Sequence, residues 1–332
     1  MSISKLTTTL AVVASLNIGA GAIGSVASAA DMPVKAPPQT PWVFDVHGNV
    51  DFNFQNTRVT GGGLLLYPTD STLFQPSVSV SLDIYKNKST FINSFSAFGG
   101  VWNEDYLNPH ALQAGFRHWQ EMDWWGGFTV GFAEHWSFTA QHIEFHFPPG
   151  GSVYNDAFSI AYDDSYLGFP ITINPYFQYW HNERGGFNSL GKGRDTYRLE
   201  AGIVPTYSFK KAYGVPLTIT APMYVEFGPT DAWNRNDGTT NFCGPANNAP
   251  CSLSNIAYYS LGLKGKYTMD AWIPKRLGTW YLKAGVQYFH IVNEALLASQ
   301  AATTPGGTLA VPNYLSAKKD VAIVSGGVGF DW

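Results

Sequence analysis

Residues 44–55 alternate without a break. Phe44, Val46, Gly48, Val50, Phe52 and Phe54 fall on one face of an extended chain, and Asp45, His47, Asn49, Asp51, Asn53 and Gln55 fall on the other. Successive side chains of a strand point to opposite faces, so this spacing predicts a strand with one apolar and one polar side. The same dyad recurs. Val78, Val80, Leu82 and Ile84 oppose Ser77, Ser79, Ser81 and Asp83, and Met122, Trp124, Phe128, Val130 and Phe132 oppose Glu121, Asp123 and Thr129. Phe91, Phe95, Ala97 and Gly99 make a set between these two. Further sets follow around residues 158–162, 171–179, 197–209, 217–227, 257–267 and 280–288, and the last runs from Ala322 to Trp332. A fifth strand begins with Trp136, Phe138 and Ala140 on the apolar side and then changes phase, with Ile143, Phe145 and Phe147 apolar; a β-bulge near Gln141–His142 restores the pattern. The total is twelve strands.

The connections carry a second rhythm. Gaps 57–76, 103–117, 148–157, 181–196, 228–255 and 293–319 are long, and gaps 86–88, 133–135, 163–169, 210–216 and 268–278 are short. Long and short links in alternation place all long loops at one end of an antiparallel cylinder, with both termini at the other. Tyr and Trp collect near strand ends, as an interfacial girdle requires. Trp42, Trp136, Tyr207, Tyr267, Trp280 and Trp332 sit at the short-turn ends, and Trp102, Tyr179, Trp180, Tyr197 and Tyr259 at the long-loop ends. Pro175, Pro205 and Pro222 oppose this reading, because proline cannot donate to a ladder; they are expected at bulges.

Composition sharpens the picture. Aromatics make up 15% of the chain and charged residues 13%, about half the usual charged share of soluble domains. A net charge of −4 gives no reason to expect a nucleic-acid partner. No later segment has an apolar run long enough for a spanning helix, so a membrane location requires a closed barrel. Residues 1–30 read as a secretory signal, with Lys5, an apolar small-residue stretch and Ala27-Ser28-Ala29-Ala30 as the cleavage region. Residues 31–42 form a Pro-rich periplasmic leader, and residues 43–332 form the barrel. Cys243 and Cys251 lie in one polar stretch of an exported chain, where a disulfide is expected.

The polar faces hold the candidate chemistry. Asp45, His47, Asn49, Asp51, Asp83, Glu121, Asp123 and Glu144 are assigned to the lumen on strands one to five, and Arg198, Glu200, Glu226, Lys264, Lys266 and Lys283 on strands eight to eleven. One wall is then acidic and the other mixed to basic, a transverse field suited to orienting polar solutes; pairing of these charges across the bore is the alternative, and it plugs the barrel. His142, Glu144 and His146 have ligand-type side chains, but their loose spacing and the bulge do not make a metal site, and no cofactor is implied. His181, Asn182, Glu183, Ser189 and His110 supply hydrolase-type groups without a compact His–Ser motif.

The closing residues Gly327-Val-Gly-Phe-Asp-Trp332 put Phe330 and Trp332 on one face and end in an aromatic carboxylate. With the signal and the Ala-Asp-Met-Pro-Val-Lys-Ala-Pro-Pro start, this ending resembles Gram-negative outer-membrane β-barrels of the small porin-like family. The resemblance implies a strand end read by the barrel-assembly machinery, a surround of outer-membrane lipid and lipopolysaccharide, and passive diffusion of small hydrophilic solutes. The expectation is an all-β chain, one antiparallel transmembrane β-barrel of about twelve strands with both termini periplasmic, acting as a non-enzymatic channel. A non-conducting barrel for adhesion or envelope structure, or an outer-membrane lipid hydrolase, is the alternative.

Overall fold

The computed structural model describes residues 41–59, 72–107, 119–147, 151–182, 196–229, 254–294, 296–297 and 318–332. Its strands are β1 (Trp42–Gln55), β2 (Leu73–Lys86), β3 (Ile92–Tyr106), β4 (Trp119–Phe132), β5 (Trp136–Phe147), β6 (Gly151–Tyr162), β7 (Ile171–Thr172) and β8 (Pro175–Asn182). They continue with β9 (Thr196–Ile203), β10 (Thr206–Ser208), β11 (Leu217–Thr220), β12 (Met223–Phe227), β13 (Ile256–Thr268), β14 (Thr279–Ile291) and β15 (Asp320–Asp331). Segments β7 with β8, β9 with β10 and β11 with β12 are each one stave in two pieces. The result is a closed barrel of 12 antiparallel staves. Pairing of β1 with β15, seven residues from Asn49↔Asp331 to Gln55↔Ser325, joins the first stave to the last. Closure removes the free sheet edges that would otherwise pair with other chains.

Pro175, Pro205 and Pro222 mark the interruptions, and the register explains them. Ile203 pairs with both Pro175 and Met223, while Thr206 pairs with Thr172 and Thr220, so the three breaks lie side by side at one level. Single main-chain bonds carry the wall across this level, Val204 N–H to the Ile173 carbonyl and Ala221 N–H to the Pro205 carbonyl, both at 2.8 Å. β7 pairs with β10 but not with β6. The turn after β6 fills that seam. The Asp164 carboxylate accepts the N–H groups of Ile173 (2.8 Å) and Asn174 (3.1 Å), where Asn174 holds the left-handed backbone (φ 48°). A side chain thus replaces a missing ladder neighbour.

Two expectations about the wall are corrected. β5 pairs with β4 and with β6 in unbroken register from Trp136 onward, so there is no bulge at Gln141–His142. Ile143 and Phe145 instead face inward, in a buried cluster with Trp102, Trp125, Ala157 and Trp180. A narrow barrel packs part of its interior as a core. For the same reason Trp102 and Trp180 are lumen side chains rather than girdle residues, 0% and 2% exposed. β6 also begins at Gly151, so the third long-loop link is a short one, residues 148–150, and the alternation of loop lengths has this exception.

The outer face follows the pattern elsewhere. Phe52, Phe54, Val78, Val80, Trp124, Phe128, Phe158, Leu261, Leu263, Leu282 and Val324 are exposed on it. Their rings and branches pair across staves, as in Phe95–Phe128 (6.0 Å) and Phe158–Tyr179 (6.2 Å). An apolar exterior over a polar interior is the inverse of a water-soluble barrel and matches a lipid surround.

Candidate functional site: the lumen

Inward positions hold the polar groups, and their tiers run from the short-turn mouth to the long-loop end. At the mouth Asp45 is exposed opposite Asp83 in the register. His47 Nε2 approaches the Asp83 carboxylate at 3.1 Å, and Lys86 reaches the same oxygen at 2.8 Å. The next tier spans the closure. Asp51 pairs with Lys283 and accepts the Tyr281 hydroxyl at 2.8 Å. Asn49 donates to the Tyr281 oxygen (2.9 Å) and to Asp331 (2.6 Å), and Lys266 reaches Asp331 at 3.1 Å while lying 3.7 Å over the Tyr281 ring.

Two buried clusters occupy the long-loop half. Arg58, in the segment after β1, bonds to Glu104 at 2.9 Å and to both oxygens of Glu121, with its guanidinium 4.7 Å over the Trp102 ring. Gln75 donates to the other Glu104 oxygen at 2.7 Å and Asn53 to Gln75 at 3.0 Å. On the opposite side Arg198 pairs with Glu226 and stacks 4.1 Å from the Trp180 ring. Tyr258 donates to Glu226 at 3.0 Å and Tyr176 to Glu200 at 2.6 Å. Such charge-assisted and ring-stacked contacts are the usual way a guanidinium is held away from water.

Two of these ion pairs run along the wall, whereas Arg58 bridges from the segment after β1 to β3 and β4. Arg198 and Glu226 stand on adjacent staves, and Asp51 reaches Lys283 over β15, where Gly327 has no side chain to block it. Five inward side chains are likewise seated over a glycine of an adjoining stave. Trp125 faces Gly100, Tyr281 faces Gly329, Gln287 faces Gly262, and Tyr176 and Tyr224 face Gly202 from either side. A Cβ at any of these glycines would meet the facing side chain well inside ordinary contact distance.

Of the residues assigned to the lumen from sequence, Asp45, His47, Asn49, Asp51, Asp83, Glu121, Asp123, Arg198, Glu200, Glu226, Lys264, Lys266 and Lys283 occupy inward positions. Glu144 does not. Without the bulge it points outward, between Trp124 and Tyr154 in the register. His142 and His146 share that outward face, bonded to Asp156 (2.8 Å) and Ser152 (3.1 Å). His181 also points outward, 3.9 Å from Asp156, while Ser189, Glu183 and His110 lie outside the described residues. Cys243 and Cys251 lie outside them too, as do residues 1–40. Arg58, Glu104 and Asp331 escaped the sequence reading. Arg58 belongs to a segment with no period, and Glu104 and Asp331 stand at strand ends where alternation gives least warning.

No helix among the described residues is long and apolar enough to cross a membrane, a statement that does not bear on strands. No protein-family model matches the chain, and no curated protein matches it. Among solved structures the chain is similar to the NanC porin, with a TM-score of 0.41 at 10% identity over 85% of this chain and 98% of that one. It is also similar to the COG4313 outer membrane channel from Pseudomonas putida F1, with a TM-score of 0.44 at 9% identity over 90% of this chain and 100% of that one. A third similar structure is OprB of Pseudomonas putida, with a TM-score of 0.37 at 7% identity over 87% of this chain and 94% of that one.

Proposed function

We propose that the chain is an outer-membrane channel for passive diffusion of small hydrophilic solutes in a Gram-negative bacterium. One observation carries this reading. The barrel is apolar outside and lined inside by charged groups, of which Arg198–Glu226 joins adjacent staves and Asp51–Lys283 spans a single intervening stave along the wall. Charges tied along a wall leave a polar path beside them, whereas charges tied across it would close the path. The reading includes a lipid and lipopolysaccharide surround, insertion by the barrel-assembly machinery through the Phe330–Trp332 end, and no enzymatic role. It also includes a Cys243–Cys251 disulfide, which a mass difference of about two hydrogens on reduction would reveal. The test is conductance of the refolded full chain in a planar bilayer. Stepwise currents support the channel, and a folded barrel that stays silent overturns it.

A second reading, a closed barrel with a structural or adhesive role, draws on the burial of the long-loop half. Arg58, Glu104, Glu121 and Glu226 are all 1% exposed or less. A silent wild type that conducts once Arg58 is replaced by Ala would favour it.

A further inference from the structure

Six cations face the described lumen, and five have a carboxylate, Lys86 pairing with Asp83 at the mouth. Arg58 has Glu104 and Glu121, Arg198 has Glu226, Lys266 has Asp331 and Lys283 has Asp51. Lys264 has none: its ammonium is shut from solvent and meets no acceptor among the described residues. A charge in that position lacks both water and a counter-ion, the costliest state for an ammonium.

Its surroundings are built from small residues. In the register Lys264 lies between Thr220 of β11 and Gly285 of β14, and Gly285 lies beside Ser325 of β15. The lysine stem rests over Gly285, where a Cβ would meet its Cγ at 2.8 Å. Gln287, inward on β14 next to Gly285, gives its amide N–H to Ser260 at 2.6 Å and leaves its oxygen without a partner. A free cation and a free acceptor therefore stand within one dyad of each other, over a floor with almost no side chains.

We propose that Lys264 is the anion subsite of the lumen and takes the carboxylate of a small monocarboxylate solute, with the Gln287 oxygen accepting a hydroxyl of that solute. Charge selects this class. One ammonium balances one carboxylate, and the Gln287 oxygen beside it favours a solute that also carries a hydroxyl. The subsite deepens the channel reading and rests on it.

The experiment uses the full refolded chain and lactate as the probe. Lactate is added during chloride conductance of the wild type, Lys264→Gln and Lys264→Arg, and lactate binding to the same proteins in detergent is measured by calorimetry. Saturable block by lactate, weakened about tenfold or more in Lys264→Gln and kept in Lys264→Arg, is the expected result. Equal block and equal binding in wild type and Lys264→Gln overturns the subsite, as does a conducting wild type with no response to lactate. A barrel that never conducts but binds lactate through Lys264 keeps the subsite and retires the channel, and one that neither conducts nor binds removes both.

Discussion

The Trp332 ring lies over Gly48, and the two residues exchange main-chain hydrogen bonds of 3.1 and 3.0 Å. Gly48 sits in the first stave and Trp332 ends the chain, so this contact fastens the cylinder beyond the last residue of the β1–β15 ladder. A Cβ at Gly48 would fall inside the indole ring. Gly48→Val should therefore cost about 1–3 kcal/mol of overpacking and lower the yield of heat-modifiable barrel on refolding. Removing the ring as well, in Gly48→Val/Trp332→Ala, should recover part of that loss. Equal yields for wild type and Gly48→Val on unheated gels would show that the contact does not limit closure.

Arg58 neutralises two buried glutamates from a segment outside the ladder. Arg58→Ala strands Glu104 and Glu121, and removing one member of a buried pair costs about 3–5 kcal/mol. Denaturant unfolding in detergent should register that loss. Adding Glu104→Gln and Glu121→Gln to Arg58→Ala should return most of it. If Arg58→Ala unfolds at the wild-type midpoint, the cluster is not a stabilising contact.

Asp45 and Asp51 act at different depths. Asp45 is exposed at the mouth, where it steers ions, and Asp51 holds Lys283 in the next tier. Replacing both with Asn removes mouth charge and frees an ammonium, so cation preference should fall. The reversal potential in a salt gradient should move toward the anion side, and an unchanged value would refute the assignment.

Asp164 closes the seam between β6 and β7 with its carboxylate. Asp164→Ala leaves two main-chain N–H groups without their acceptor, at about 1–3 kcal/mol each where burial persists. Amide exchange at Ile173 and Asn174 should quicken, while exchange across the β14–β15 pairing stays at its wild-type rate. No change at Ile173 and Asn174 would mean that other acceptors hold the turn.

The staves were legible in the sequence because lipid outside and polar groups inside impose a strict dyad, as in β1 and β2. The dyad loses its meaning where the interior stops being polar. Ile143 and Phe145 look like lipid-facing residues, yet they fill a bore too narrow to be lined by water alone. With them counted as lipid-facing, Glu144 falls inward and the strand needs a bulge, which the unbroken β4–β5 register excludes. Trp102 and Trp180 misled for the same reason, since an aromatic near a strand end fits a girdle and a lumen equally well. The Arg58 cluster joins a non-periodic segment to two staves, and pairing of that kind leaves no trace in local spacing. The prolines were legible as exceptions, but only the register shows that they share one level.

Seating several large lumen side chains over a facing glycine has a consequence for how pore width can change at those depths. Trp125 over Gly100, Tyr281 over Gly329, and Tyr176 with Tyr224 over Gly202 make the bore a cast of differences between adjacent staves. Bulk gained at a glycine must be surrendered by its facing ring, and a ring cut back exposes a strip of bare backbone. Width and chemistry at a given depth thus vary as coupled pairs, and a lineage that reshapes this passage is bound to do so two staves at a time.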